Sequence, residues 1–347
     1  MFTKELKIKI SVGVITYNQE TTIRQTLDSI IAQKGDFDLE VVIGEDCSAD
    51  ATYEICEGYA RCNELRNEGV NELREVKLLP NTHNLGIMAN FARVMKACTG
   101  DYVGICAGDD YWRDEQKLQK QLDYFCAHPD VGVVSTSGYK LLVKSNTLLP
   151  HAIAPFNPIE DGNVKKFYFS PDYRGGVYAM PLSLLIKREF MQYVDFDEFI
   201  KRGFPVEDYP MQAILSQHCK WGHIDDLCVV YRVYKESATF ISYDHPKYLE
   251  YHKGLANIRR YLNEIFPDDI CFTEEWLQVY EFYKEFLLYL HQRDYQKAKQ
   301  LINSISPTVA SSAKVQQTKR FTKTWLHFIV AHYIKEFKYR KDLRKRV

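Results

Sequence analysis

The 347-residue chain, 46% hydrophobic and 14% aromatic with a formal charge of −1, carries enough apolar material for one large core plus an appended piece. Its nine cysteines, odd in number and without a C-x-x-C pair, argue against a disulfide framework or a zinc module and fit a reducing cytoplasm. Met1 to Lys7 leads straight into a strand and no apolar run is long enough to cross a bilayer, so the expected protein is neither secreted nor membrane-spanning.

Lys7 to Tyr17 is a β-branched run without helical period, stopped by Asn18 to Glu20, and predicts a buried first strand. Ile23, Leu27, Ile30 and Ile31 then recur at i, i+4, i+7 and i+8, one apolar face of a helix ending near Gly35. Leu39 to Gly44 is a second strand, closed by Glu45 to Asp50, whose Ser and Asp content suits a turn into a helix beginning near Thr52. Val76 to Leu79 makes a third strand and Asn81 to Gly86 a loop. Met88, Phe91, Ala92 and Met95 form another helical stripe before the strand Tyr102 to Cys106. This alternation predicts a parallel sheet covered on both faces, with ligands outside the carboxyl ends of its strands. Neither a G-x-G-x-x-G nor a G-x-x-x-x-G-K-[ST] fingerprint is present, which argues against a dinucleotide-binding domain or a P-loop.

The fourth strand runs into Asp109 and Asp110. Adjacent carboxylates repel, so this pair is either compensated by a divalent cation and hydrogen bonds or is an ordinary Asp-Asp turn. A second charged pair, Glu207 and Asp208, sits in apolar surroundings ahead of a helical segment, Met211 to Gln217. An acid shortly before Pro210 also makes a good helix start, and the two roles are compatible. Downstream, Trp221 to Tyr234 reads as a strand containing Arg232, which serves either an anionic ligand or an ion pair with Asp225 or Asp226.

In order and spacing, Val14-Ile-Thr-Tyr-Asn18, Glu45-Asp-Cys-Ser-Ala-Asp50, Asn84-Leu-Gly86 and Gly100-Asp-Tyr with Gly108-Asp-Asp-Tyr-Trp112 resemble family 2 glycosyltransferases of the GT-A fold. Asn84, Gly86, Asn90, Phe91 and Arg93 match a bacterial subgroup with Asn-x-Gly-x-x-x-Asn-Phe-x-Arg before Gly-Asp-Asp-Tyr-Trp. The resemblance is close over residues 1–130 and weaker to residue 240. It implies an α/β fold of GT-A type, a mostly parallel central sheet flanked by helices, with a C-terminal helical extension. Thr16, Tyr17 and Asn18 are then expected against base and ribose, Asp46 accepting from the base with Glu45 as its turn partner, and Asn84, Gly86 and Arg93 on the donor side. Asp109 corresponds to the metal ligand, where oxygen donors suit Mg²⁺ or Mn²⁺ bridging a diphosphate, and Asp110 orients the loop or the acceptor. Asp208 is the implied general base, with Glu207 the fallback, and Arg232 neutralises the diphosphate. The family commonly has another carboxylate two residues before the metal ligand; this chain has Ala107, which puts metal affinity and nucleotide preference in question.

The implied activity is inverting transfer of a sugar from a nucleotide donor, UDP-linked, to a hydroxyl of a glycan or lipid-linked acceptor in bacterial surface polysaccharide or lipopolysaccharide assembly. Two other classes stay open: a non-catalytic glycan-binding or assembly protein, made plausible by Ala107, and a nucleotidyltransferase on a similar fold, against which stands the missing glycine-rich, basic triphosphate loop. Ser170 to Tyr178 supplies glycines, aromatics and a cation to an acceptor-side loop.

The expected organisation is a domain over 1–240, split into a nucleotide half (1–130) and an acceptor half (131–240), a helical region over 241–310 and a basic tail over 311–347. Tyr248 to Phe266 and Glu274 to Ser304 read as helices, with Trp276, Tyr280, Tyr283, Phe286, Leu287 and Leu290 as packing residues rather than a cofactor site. From residue 313 on, eleven Lys and Arg face two acids, interleaved with Phe321, Trp325, Phe328 and Phe337. Such a tail either lies on an anionic membrane, at the inner face of the cell membrane, or packs as a solvated terminal helix; a nucleic-acid patch is the weakest choice, and no nucleic acid is expected as a partner.

Overall fold

Ile10 through Val14 are buried in the first strand, β1 (Lys9–Thr16), as a strand covered on both faces requires. The computed structural model describes residues 7–66, 74–151, 164–169, 179–234, 243, 245–269 and 272–304. The chain divides into two units, Met1–Val233 and Tyr234–Val347.

In the first unit, β1 pairs in parallel with β2 (Asp38–Glu45) on one side and β4 (Tyr102–Ala107) on the other, and β2 pairs in parallel with β3 (Arg74–Leu78). Val14 lies opposite both Ile43 and Cys106, so the three strands end level with one another. The helices α1 (Ile23–Ile31), α2 (Thr52–Arg66) and α3 (Ile87–Ala97) make the crossovers. Ile23, Leu27 and Ile30 of α1 and Met88, Phe91, Ala92 and Met95 of α3 are buried, as their spacing predicted, and Val94, outside that stripe, is buried with them.

Beyond β4 the sheet becomes mixed. The two-residue β5 (Tyr111–Trp112) and the helix α4 (Lys117–Ala127) precede β6 (Val131–Leu142) and β7 (Thr147–His151), which form a hairpin. The short α5 (Lys165–Tyr168), β8 (Leu185–Lys187), α6 (Phe196–Lys201) and α7 (Asp208–His218) lead to the long final strand β9 (Lys220–Val233). Spatial order is β3-β2-β1-β4-β8-β6-β9-β5, with β7 paired to β6 off this path. Antiparallel β8 joins β4 to β6, and β9 runs parallel to β6 and antiparallel to β5.

At the amino end of the sheet, Glu40 is fully buried yet charged. Burial alone would raise its pKa, but hydrogen bonds from Lys77 (2.7 Å), Ser11, Lys9 (2.9 Å) and the Thr99 N–H (2.9 Å) outweigh that and hold it at about 2. This cluster ties β1, β2 and β3 to the turn before β4.

The second unit contains α8 (Tyr248–Ile265), α9 (Glu274–His291) and α10 (Tyr295–Asn303). Trp276 stacks on Tyr280 with centroids 5.5 Å apart, and Phe282 on Phe286 at 5.8 Å, so the aromatic stripe is packing. The helix expected over Glu274 to Ser304 is broken in two. Arg293 adopts φ 59°, the Arg293 N–H donates to Leu290 O (3.0 Å), and the Asp294 N–H donates to Tyr289 O (2.8 Å), a left-handed helix stop. Asp294 then caps α10 by accepting from the Lys297 N–H. Among the described residues no helix is long and apolar enough to cross a membrane. Residues 170–178 and the basic tail over 313–347 lie outside the described residues.

Candidate active site

The carboxyl ends of β1, β2 and β4 are bound edge to edge. The Asp46 N–H donates to Thr16 O at 3.0 Å and the Gly108 N–H to Ile15 O at 2.9 Å, which gathers Thr16–Asn18, Glu45–Asp46 and Gly108–Asp110 on one rim. Gly108 is required there: a Cβ would lie 2.5 Å from Gln19 Oε1 and 2.6 Å from Thr16 Oγ1. Thr16 is buried, whereas the Tyr17 ring is 48% exposed. Asn18 turns the chain with φ 51°, a conformation Asn tolerates, and is pinned to the next crossover by the Ser48 hydroxyl and the Ala49 N–H, both at 2.8 Å. Glu45 accepts from the N–H groups of Cys47 and Ser48 and so closes its own turn.

Asp46 is 3% exposed and holds the Asn81–Gly86 loop. Its Oδ1 accepts from Asn81 Nδ2 (3.1 Å) and the Leu85 N–H (2.8 Å), and its Oδ2 from the Gly86 N–H (2.9 Å). Three of about four carboxylate acceptor positions are thereby used within the protein. Asn84 donates to the Asp46 carbonyl and accepts from Gly86, whose φ of 83° opens α3. Arg93 works from behind: it donates to Asn90 Oδ1, Pro80 O and Glu45 O, each at 2.8 Å. Asn84, Gly86 and Arg93 are thus brought together around Asp46 as the frame of the rim.

The acidic pair divides. Asp110 is 3% exposed, and burial followed by the neighbouring Asp109 charge pushes its pKa well up. It is compensated by the Arg232 N–H, which donates to Asp110 Oδ1 at 2.7 Å. Asp109 is half-buried; burial raises its pKa too, against the favourable charge of Arg232 and a hydrogen bond from Gln19. The Arg232 guanidinium donates to the Asp109 carbonyl and to Gln25 Oε1, and lies 4.8 Å from the centroid of the Tyr111 ring. The sequence alternative for Arg232, an ion pair with Asp225 or Asp226, is not what the strand forms. Asp225 lies 3.6 Å from His223, and Asp226 is 2.5 Å from Lys120.

Asp208 is the first residue of α7 and accepts from the Tyr209 N–H at 2.7 Å; Glu207 occupies the cap position without a side-chain capping bond. Burial, then the Asp208 charge, pushes the Glu207 pKa up, so the pair favours holding one proton between them. The helix is anchored one turn later. Gln212 Nε2 donates to Ala179 O, and three residues on, Leu182 O accepts from Trp112 Nε1 at 3.0 Å. The strap Ala179–Leu182 therefore links the second turn of α7 to the residue two past Asp110.

Sequence reading passed over the residues that hold this turn. The hydroxyls of Thr22, the N-cap residue of α1, and of Thr26, four residues on, donate to Gly108 O at 2.9 and 3.0 Å, and Thr26 also to Asp110 O. Their i, i+4 spacing inside an otherwise apolar face was the available signal. Gln19 and Gln25 carry no comparable signal. Asp114, Asp226 and Cys228 bring ligand atoms within 4.8 Å of one another, but Lys120 already neutralises both acids, at 2.7 and 2.5 Å.

Residues 11–180 match the family model for glycosyl transferase family 2. The match and the relatives below support a family 2 glycosyltransferase. An uncharacterized Mycobacterium tuberculosis protein, Rv1520, is 42% identical over 125 residues, 36% of this chain and 33% of that protein, so the chain spans about a third of that relative's length. The poly(ribitol-phosphate) β-N-acetylglucosaminyltransferase TarS of Staphylococcus aureus is 33% identical over 134 residues, 38% of this chain and 21% of TarS. The structure of TarS residues 1–349 with UDP-GlcNAc superposes with a TM-score of 0.52 at 17% identity, covering 96% of this chain and 92% of that one. The Pyrobaculum calidifontis mannosyltransferase PcManGT, with GDP-Man and Mn²⁺, gives 0.52 at 16% identity over 95% and 86% of the two chains. At such identities the likeness shows the GT-A fold: a mixed α/β sheet flanked by helices.

Proposed function

We propose that this chain is a family 2 glycosyltransferase and moves a sugar from a UDP-linked donor, with inversion, onto a hydroxyl of a growing bacterial surface glycan. The observation that carries the proposal is the division of the acidic pair: Asp110 is buried and tied to Arg232, while Asp109 is half-buried beside Gln19 at the same strand end. Thr16, Tyr17 and Asn18 line the rim for base and ribose, with the exposed Tyr17 ring as a stacking surface. Asp46 has one acceptor position left for a base N–H and otherwise fixes the Asn84–Gly86 turn. Arg93 acts through that frame.

One half-buried carboxylate, completed by diphosphate oxygens and water, is a donor set that suits Mg²⁺ or Mn²⁺, and the cost of charging Asp109 in this setting is offset by a cation. Such an ion supplies charge neutralisation to the departing diphosphate. Arg232, held 4.8 Å from the Tyr111 centroid, adds a permanent positive charge at the same end. Asp208 takes the proton of the acceptor hydroxyl as that oxygen attacks the anomeric carbon and the bond to the diphosphate breaks. Glu207, protonated beside it, keeps the negative charge on Asp208. The complex of TarS with UDP-GlcNAc supports the UDP reading, and the poly(ribitol-phosphate) acceptor in the name of TarS supports a polymeric acceptor. The proposed location is cytoplasmic, peripheral at the inner face of the membrane through residues 313–347.

A panel of nucleotide sugars tested by thermal shift with and without Mn²⁺ examines this, because a ligand that binds the folded state raises its melting temperature. A Mn²⁺-dependent shift with a UDP-sugar, lost in Asp109→Ala together with donor hydrolysis, is the expected result. Shifts without hydrolysis in the wild type would favour a glycan-binding protein instead.

A further inference from the structure

The β6–β7 hairpin is apolar where it should be polar. Val143, Leu148 and Leu149 are 38%, 40% and 37% exposed, and the cross-strand pairs are Leu141 with Leu148 and Lys140 with Leu149. Paired residues share a face, so Leu148 and Leu149 put leucine on both faces of the ribbon, with Val143 at its turn. No Asp or Glu occurs from residue 131 to residue 159, a stretch that contains Lys140, Lys144 and His151. An exposed apolar edge of this kind invites strand addition, but Pro150 interrupts the donor row of β7, one of the devices that blocks edge-to-edge pairing.

The hairpin also stands beside the candidate site. In the parallel pairing of β6 with β9, Leu141 lies opposite Arg232 and Tyr139 opposite Val230, which in turn pairs with Tyr111. The Arg113 guanidinium lies 4.9 Å from the Tyr139 ring centroid. The ribbon beyond Leu141 therefore continues past the strand end that carries Arg232 and, through it, Asp109.

We propose that residues 141–149 form a lipid-facing wedge that seats the rim of the site on an anionic bilayer. Val143, Leu148 and Leu149 enter the boundary between headgroups and acyl chains, and Lys144 extends to anionic headgroups, as basic side chains flanking an apolar insertion do. This contact belongs to the first unit.

The test is cosedimentation of the full chain with vesicles of phosphatidylcholine alone and of phosphatidylcholine with phosphatidylglycerol, comparing wild type, Leu148→Ser/Leu149→Ser and the control Ile200→Ser, an exposed apolar residue in α6. Binding to the anionic vesicles that falls by about tenfold in the double variant and is unchanged in the control supports the wedge. Amide exchange in the wild type gives a reading independent of the variants: residues 143–149 should exchange more slowly on anionic vesicles. Unchanged vesicle binding in the double variant, or unchanged exchange over 143–149, overturns the proposal. So does loss of a dimer in sedimentation velocity with vesicle binding retained, which would make a second copy the occupant.

Discussion

The backbone N–H of Arg232 meets the Oδ1 of Asp110 at 2.7 Å across 122 residues of chain, joining the last strand of the sheet to the turn that carries the acidic pair. The same arginine's side chain grips the Asp109 carbonyl and Gln25. Backbone and guanidinium thus fix both aspartates at once. Arg232→Lys keeps the backbone bond and the charge but loses the planar fork, leaving the Gln25 and Asp109 acceptors short of a donor. The expected loss is about 1–3 kcal/mol in denaturant unfolding, together with weaker donor binding by thermal shift.

Asp109→Asn removes the ionised oxygen that suits a divalent cation while preserving shape. Turnover should drop by at least about 100-fold, and the Mn²⁺-dependent part of the nucleotide-sugar thermal shift should vanish. Retention of that metal-dependent shift in Asp109→Asn would show that another residue holds the ion.

For the proposed base, binding and chemistry should separate. Asp208→Asn is expected to lower kcat by roughly 10²–10⁴ while leaving the donor-induced thermal shift intact. Glu207→Gln retains an uncharged neighbour like the protonated acid and should cost far less activity. Were the two variants to exchange these effects, Glu207 would be the base.

Glu40 gives the sheet its acid limit. Its folded pKa of about 2 lies below the ordinary 4.5, so the unfolded chain binds more protons between those values. The resulting stability is fully present above the ordinary value and is lost as the pH falls through about 2; it amounts to roughly 3 kcal/mol. Glu40→Gln should lower neutral-pH stability by roughly that amount, because Lys9 and Lys77 lose their shared buried carboxylate and keep only the half-buried Glu75, at 3.8 and 3.3 Å, and it should flatten this part of the acid profile. Urea titrations at neutral and acid pH would reveal the difference, and an identical acid slope in both proteins would count against the cluster.

At Gly108 the chain has no room for a side chain. Gly108→Ala puts a methyl 2.5 Å from Gln19 Oε1 and 2.6 Å from Thr16 Oγ1, so the Asp109 turn must move away from β1. Because small misplacements of reacting groups reduce rate steeply, activity should fall by at least about tenfold with a fold still intact by circular dichroism.

Periodicity carried the first half of this fold. The crossovers of β1, β2, β3 and β4 were legible because parallel strands buried on both faces are written as apolar runs and their covering helices as stripes. The ordered motifs located the strand-end acids for the same reason, since ligands gather where such strands stop. What tertiary structure decided was partnership over long distances. Asp46 reads as a carboxylate at a turn, yet three of its acceptor positions are consumed by a loop some forty residues on. Arg232 and its sequence neighbours Asp225 and Asp226 looked able to pair, but seven residues of strand separate Arg232 from Asp225 by roughly 20 Å, whereas folding brings Asp109 and Asp110 to it. The order β8-β6-β9 and the exposed β6–β7 hairpin were likewise beyond reach, because short-range patterns specify which residues are buried and not which strand lies beside which. Residue patterns alone carried β1 to β4, their covering helices and the residue types at the rim. Only the packed structure determined which of those residues are committed to one another, because hydrogen bonds and burial between distant segments exist only once the chain has closed.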